Sequence, residues 1–228
     1  MQILTGEEVE VVLFTLRMAA LSTLVILPPA VLAAWGLARY RGPGKSAIET
    51  LLSLPLVLPP TAVGILLLEL LARRRPLGAW LAAHGIDVVF TWKAVLLATA
   101  VMSFPLLVRQ ARTAFEAVDP RLPALARTLG CGPWSAFFRV TLPLARRGIL
   151  AGTVLAFSRA LGEFGATVLV AGNIPGRTRT LALAIFHESQ VGRDDRALVL
   201  VAVTVVLAFA ALWTAEWLDR RRARLVAA

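Results

Sequence analysis

Residues Ala124–Ala145 read ALARTLGCGPWSAFFRVTLPLA, and an apolar run flanks them on each side. Upstream, Val88–Val108 holds a single charge, Lys93; downstream, Ile149–Gly172 holds only Arg159 and Glu163. A membrane-spanning helix needs about 20 mainly apolar residues. Each flank is long enough to be one, so the quoted stretch is the centre of a polar connection between two spans. Three more runs have the same character: Val11–Leu37 with only Arg17, Ile48–Leu71 with Glu49 and Glu69 near its ends, and Ala197–Leu218 with only Glu216. The whole chain of 228 residues is 58% hydrophobic, above the roughly 45–50% of a soluble domain. The expected fold is all-α, a polytopic membrane helix bundle of about five spans, with residues 1–228 as one domain.

The start, MQILTGEEVE, is acidic where a secretory signal is basic, and the run after it is too long for one. It is read as the approach to the first span. Cys131 is the sole cysteine, which excludes a disulfide framework and a cysteine metal cluster. The net charge of +10 fits either a nucleic-acid partner or a membrane protein with arginines on its cytoplasmic side. The spans select the second, with no nucleic acid. Alternate connections share a side: 14 of the Lys and Arg residues fall on one and 7 on the other, while Arg17, Lys93 and Arg159 lie within spans. The positive-inside bias then places the N-terminus outside and the C-terminus in the cytoplasm. Arg73–Arg75 oppose this assignment.

Gly44-Lys45-Ser46 has the look of a phosphate-loop tail, but position 39 is Arg where that loop needs glycine, and a span rather than a strand precedes it. It reads as a turn, and no nucleotide site is visible in the chain.

The polar connection, about residues 109–148, holds two short helical patterns. Asp119 suits an N-cap and Pro120 the first helical position. Leu122, Leu125, Ala126 and Leu129 share one helical face, and Gly130 suits the position just past the end. Pro133 opens a second piece with Trp134, Phe137, Phe138 and Val140 as apolar anchors, and Pro143 either ends it or starts the next span. A helix of about eleven residues is marginal alone in water and needs a packing surface. The bilayer, the chain's own bundle and a groove on a soluble partner all provide one, and periodicity does not separate them.

Gly130, nine residues, Val140, one residue and Leu142-Pro143 resemble the cytoplasmic loop of ABC importer permeases. That family's loop opens Glu-Ala-Ala, where this chain has Ala124-Leu125-Ala126; Glu116-Ala117-Val118 lies too far from Gly130 to replace it. SFPLLVRQARTAFEAVDPRL before the loop and AFSRALGEFGATVLVAGNIPGRTRTLALAIF after it are similar to the molybdate branch of the family, and sulfate permeases are near relatives. The resemblance runs from the second span to about Phe186.

It implies a coupling helix seated in a separate ATPase, with Arg121, Leu122, Leu125, Ala126, Leu129, Gly130, Trp134, Phe137, Leu142 and Pro143 on the contact. It further implies a homodimer with the pathway on its twofold axis, two ABC ATPase subunits, an external oxyanion-binding protein and a place in the cell (inner) membrane. ATP and Mg²⁺ are then bound by the partner; this chain is not an enzyme and holds no cofactor. The implied substrate is molybdate or tungstate, with sulfate or thiosulfate as the alternative. From another class, an energy-independent channel or a membrane scaffold is weighed. A channel has no need of capped loop helices, and a scaffold has no need of charges and prolines within its spans.

Arg159 and Glu163 lie one helical turn apart inside a span, where each charge costs roughly 2.5–3.5 kcal/mol on insertion scales. They are read either as a pathway or gate pair or as a mutually neutralised packing pair. Pro55, Pro59 and Pro60 remove intrahelical donors and predict a kink or break. Irregular backbone at membrane depth is tolerated only against protein or a water-filled cavity, so this segment, Pro59, Pro60 and Thr61 included, is expected in the bundle interior along the pathway. Gly172–Thr180, GNIPGRTRT, is expected to be a fixed outer turn, with Asn173, Arg177 and Arg179 as candidates for docking the binding protein. His84 and His187 lie far apart without ligand spacing, so no metal is assigned.

Overall fold

The computed structural model describes residues 4–224, with side chains described as far as residue 214. The helices, in chain order, are α1 (Gly6–Arg39), α2 (Lys45–Val57), α3 (Pro60–Leu71), α4 (Pro76–Ala83), α5 (Trp92–Glu116), α6 (Arg121–Thr128), α7 (Pro133–Ala136), α8 (Leu142–Leu161), α9 (Gly165–Val170), α10 (Leu181–Gln190) and α11 (Asp194–Arg224). A π-helical turn, Phe137–Thr141, joins α7 to α8. Four helical stretches are long and apolar enough to cross a membrane: α1, α5, Pro133–Leu161 and Asp194–Thr214. The pair α2 and α3 meets the same test as one span bent by 105°. Counted as one span, the bent pair brings the number to the five expected.

α1 begins on a capping box. The Thr5 backbone N–H donates to Glu8 Oε2 at 2.6 Å, and the Thr5 hydroxyl accepts the Glu8 N–H at 3.4 Å, which satisfies two donors a helix start leaves open. α1, α5 and α8 form the central packing. Their contact faces are small: Ala30, Ala34, Ala98, Ala111 and Ala156 are fully buried. Between helices in a bilayer, close van der Waals contact replaces the hydrophobic drive, and small residues let backbones approach. Gly148 and Gly152 do this on α8. A Cβ at Gly148 lies 2.4 Å from Ala114 Cβ, and one at Gly152 lies 2.8 Å from Gln110 Cβ, so neither site has room for alanine.

Two expectations need correction. The fourth span does not run Ile149–Gly172; it starts at Pro133, ends at Leu161 and gives way to the short α9. The second loop helix is thus the beginning of the span itself. Pro143, which lacks an N–H, breaks nothing because the π turn immediately before it has already widened the ladder, with Leu142 N–H bonding Phe137 O. Second, the broken span is only half interior within this chain. α3 buries Val63, Gly64, Leu67 and Leu71, whereas α2 has no buried residue. α2 is held by charges near its start: Lys45 lies 3.9 Å from Glu49 and 3.8 Å from Glu116, and Arg112 lies 2.7 Å from Glu49 and 2.8 Å from Glu116. Gly44, at φ 84°, forms the turn before it.

Arg73–Arg75, which oppose the charge bias, are each paired. Arg73 meets Asp87 at 2.6 Å, and Arg74 and Arg75 both meet Glu69.

Candidate functional site

The loop helix α6 is built as its sequence requires. The Asp119 carboxylate accepts the Arg121 N–H at 2.8 Å, ahead of a first turn containing no acidic residue. At the other end Leu129 N–H bonds Leu125 O and Cys131 N–H reaches back to Ala126 O, both at 3.1 Å. That closure needs Gly130 at φ +89°, the left-handed region where a side chain is strained. Leu122, Leu125 and Leu129 are 44%, 60% and 78% exposed. The apolar stripe therefore faces away from the bundle, with Arg121 exposed beside it and Ala126 half-buried at its edge.

Trp134 and Phe138 extend this surface, at 57% and 59% exposed. Phe137 does not belong to it. It is 1% exposed, with its ring 4.7 Å from Trp35 and 6.1 Å from Phe115. Phe137 turns inward and Phe138, one position further round the helix, turns outward, so Phe138 takes the contact position assigned to its neighbour. Its spacing of four from Trp134 is a sequence signal for it, one that Phe137 shares at a spacing of three. Leu142 packs partly against the core, while Pro143 is exposed. Exposed apolar side chains are common along the spans, Leu51 and Val57 among them, whereas this cluster lies at the polar connection between two spans.

The candidate pathway residues converge on the two helix breaks. α3 and α9 pack closely: a Cβ at Gly165 lies 2.7 Å from Pro60 Cβ, and one at Gly64 lies 2.9 Å from Ala166 Cα and O. Glu163 stands in the α8–α9 break, 1% exposed. Its Oε2 lies 2.7 Å from Arg159 Nη1, and its Oε1 accepts the Ala166 N–H at 2.8 Å. One carboxylate thus neutralises the arginine and holds the first turn of α9. Pro59 and Thr61 are exposed on the α3 side.

The outer turn is rigid. Ile174 O accepts N–H groups from Arg177, Thr178 and Arg179 at 2.9–3.1 Å. The fully buried Thr178 hydroxyl bonds Gly172 O, and Leu181 N–H donates to Thr15 Oγ1 on α1 at 2.8 Å. Arg179 Nε donates to Asn173 Oδ1 at 2.9 Å. These two residues are engaged with each other, which leaves Arg177 as the exposed member of the docking candidates. Arg177 lines a cavity of about 490 Å³ together with Arg17 and Lys93.

Residues 26–224 match the family model of the binding-protein-dependent transport system inner membrane component. The chain is 47% identical over 220 residues, 96% of each chain, to the molybdenum transport system permease protein ModB of Escherichia coli K12. It is 41% identical to that of Haemophilus influenzae, over 94% of each chain. To the sulfate transport system permease protein CysT of E. coli K12 it is 35% identical, over 86% of this chain and 70% of the relative. A bacterial alginate ABC transporter structure superposes with a TM-score of 0.74 at 19% identity, covering 95% of this chain and 80% of that one. The MetNI methionine ABC transporter in an inward-facing conformation gives 0.69 at 16%, covering 93% and 94%.

Proposed function

The chain belongs to the binding-protein-dependent transport system inner membrane component family, and from that premise we propose that it is the permease subunit of an ATP-driven molybdate or tungstate importer. It works as a homodimer in the inner membrane, with the pathway between copies. Two ABC ATPase subunits sit on the cytoplasmic side, binding ATP and Mg²⁺, and an oxyanion-binding protein sits outside. The observation that carries the reading is the outward Leu122–Leu125–Leu129 stripe on a helix closed at both ends by its own caps. The chain's own bundle leaves the stripe uncovered, and each leucine covered in a partner's groove stabilises the contact by about 1.5–3 kcal/mol. The substrate follows from the full-length likeness to molybdenum permeases, with sulfate import the more distant reading.

Movement of α6 with a closing ATPase passes into α8, because α6 packs on α7 and the π turn, and these continue into α8 as one helical stretch. α8 ends at the Arg159–Glu163 pair beside α9 and α3. ATPase closure therefore reaches the two helix breaks and changes which side of the bundle is open.

The test is uptake by vesicles holding this chain, its ATPase and its binding protein. Labelled molybdate accumulates only with ATP, and excess tungstate competes where excess sulfate does not. Leu125→Glu leaves a folded bundle whose recovery of ATPase on copurification falls about tenfold or more. Accumulation by this chain without an ATPase contradicts the reading.

A further inference from the structure

We propose that the cavity between α6 and the end of α1 is a binding site for a tetrahedral oxyanion group, distinct from the transport pathway. The cavity, about 510 Å³, is lined by Arg39, Arg41 and Arg127, with Trp35, Thr141 and Glu116 on its walls. The three arginines come from three places: the last residue of α1, the α1–α2 connection and the penultimate position of α6. Among the described residues none of the three forms an ion pair with a carboxylate. The contrast is with Arg73–Arg75, which are all paired.

Arg39 and Arg127 both line the cavity and carry like charge. The Arg39 guanidinium carbon lies 4.5 Å from the centroid of the Trp35 ring. Glu116, the one acidic wall residue, is already held by Arg112 at 2.8 Å and Lys45 at 3.8 Å. Uncompensated guanidiniums around one cavity are the donor set of a phosphate-like anion, since the guanidinium fork matches two oxygens at once.

Free phosphate, sulfate or molybdate has this chemistry, and so does the phosphate of an anionic phospholipid. In either case the anion ties α6 to the end of α1 and sets how freely the exposed leucine stripe moves. The site does not depend on which anion the transporter carries.

The experiment uses the assembled transporter in nanodiscs of zwitterionic lipid, with the ATPase sites filled by Mg-ADP, and equilibrium dialysis of labelled inorganic phosphate and sulfate. One anion binds per permease chain, and Arg39→Gln with Arg127→Gln weakens it about tenfold or more. Lysine at both positions restores binding to within about threefold, since the charge returns without the fork. Arg193→Gln, at a residue paired with Glu188 and away from this cavity, changes nothing. A second series in phosphatidylglycerol nanodiscs separates the sources. Loss of free-anion binding there, with one phosphatidylglycerol per chain retained by wild type and not by the double glutamine variant, assigns the site to lipid. Unchanged free-anion binding assigns it to a soluble ion. Equal anion binding and equal lipid retention by wild-type and double glutamine chains, both eluting as assembled transporter, overturn the proposal. Molybdate uptake is scored separately, so failure of the transport assignment is distinguishable from failure of this one.

Discussion

Leu-Pro-Pro occurs twice in this chain, at residues 27–29 within the unbroken α1 and at residues 58–60, where α2 and α3 part at 105°. A proline in a helix removes a bond and crowds the carbonyl four residues back, so the local chemistry is the same in both places. The surroundings differ. Around Pro28 and Pro29, Ile26, Ala30 and Ala34 are at most 5% exposed against α5 and α8, and the packing holds both halves of α1 in line. Around Pro59 and Pro60 only one half is held. α3 is locked to α9 through Gly64 and Gly165, while α2 buries nothing. Proline marks where a helix yields easily, and the contacts on either side decide whether it does.

The largest test of this contrast is Gly165→Val. Its Cβ falls 2.7 Å from Pro60 Cβ, and overpacking of this kind costs about 1–3 kcal/mol. The melting temperature of the assembled transporter falls and uptake is lost. A variant with wild-type melting and uptake shows that α9 does not fix the break. Next is Glu163→Ala, which leaves Arg159 without its partner and frees the Ala166 N–H. Arg159 keeps 27% side-chain exposure, which limits the loss to about 2 kcal/mol by denaturant unfolding, below that of a fully buried pair. Glu163→Gln retains an acceptor for Ala166 and loses less.

The third test has the opposite sign. Pro28→Ala with Pro29→Ala restores helix bonds in a helix its packing already keeps unbroken, raising stability by about 1 kcal/mol in the same measurement, below the roughly 3 kcal/mol per proline of an unsupported helix interior. The smallest effect belongs to Pro59→Ala with Pro60→Ala. The bend is set by α9 and persists, so spin labels at the exposed Leu51 and Leu66 keep their separation. A longer separation, from a helix that has straightened, removes packing as the cause and returns it to proline.

The apolar runs, the capped α6 and the shared face of its leucines were legible in the sequence because each is a local pattern: an apolar run, an Asp-Pro start, a glycine stop. That this face points away from the bundle was not, because periodicity does not say what covers it. The pairing of Arg159 with Glu163 was legible from spacing, but not which of its roles prevails. That depends on α9 placing an N–H 2.8 Å from the carboxylate. Spacing does not separate Phe137 from Phe138 as the contact residue: they are neighbours on one helix, and only the fold shows that Trp35 and Phe115 take Phe137 inward. Arg73–Arg75 opposed the charge bias in sequence, and only the fold shows their partners Glu69 and Asp87. The α2 surface was read as interior because a broken span needs cover, and within one chain that cover reaches only α3.

The continuity of Pro133–Leu161 has a mechanical consequence. Its 29 residues make a rod about 43 Å long at 1.5 Å per residue. Pivoting about one end by about 10° carries the other through about 7 Å, more than one helical turn of advance. The tip near Trp134 and the tip near Arg159 are two ends of one lever arm. A modest swing at the loop is thus amplified mechanically at the far end of the span.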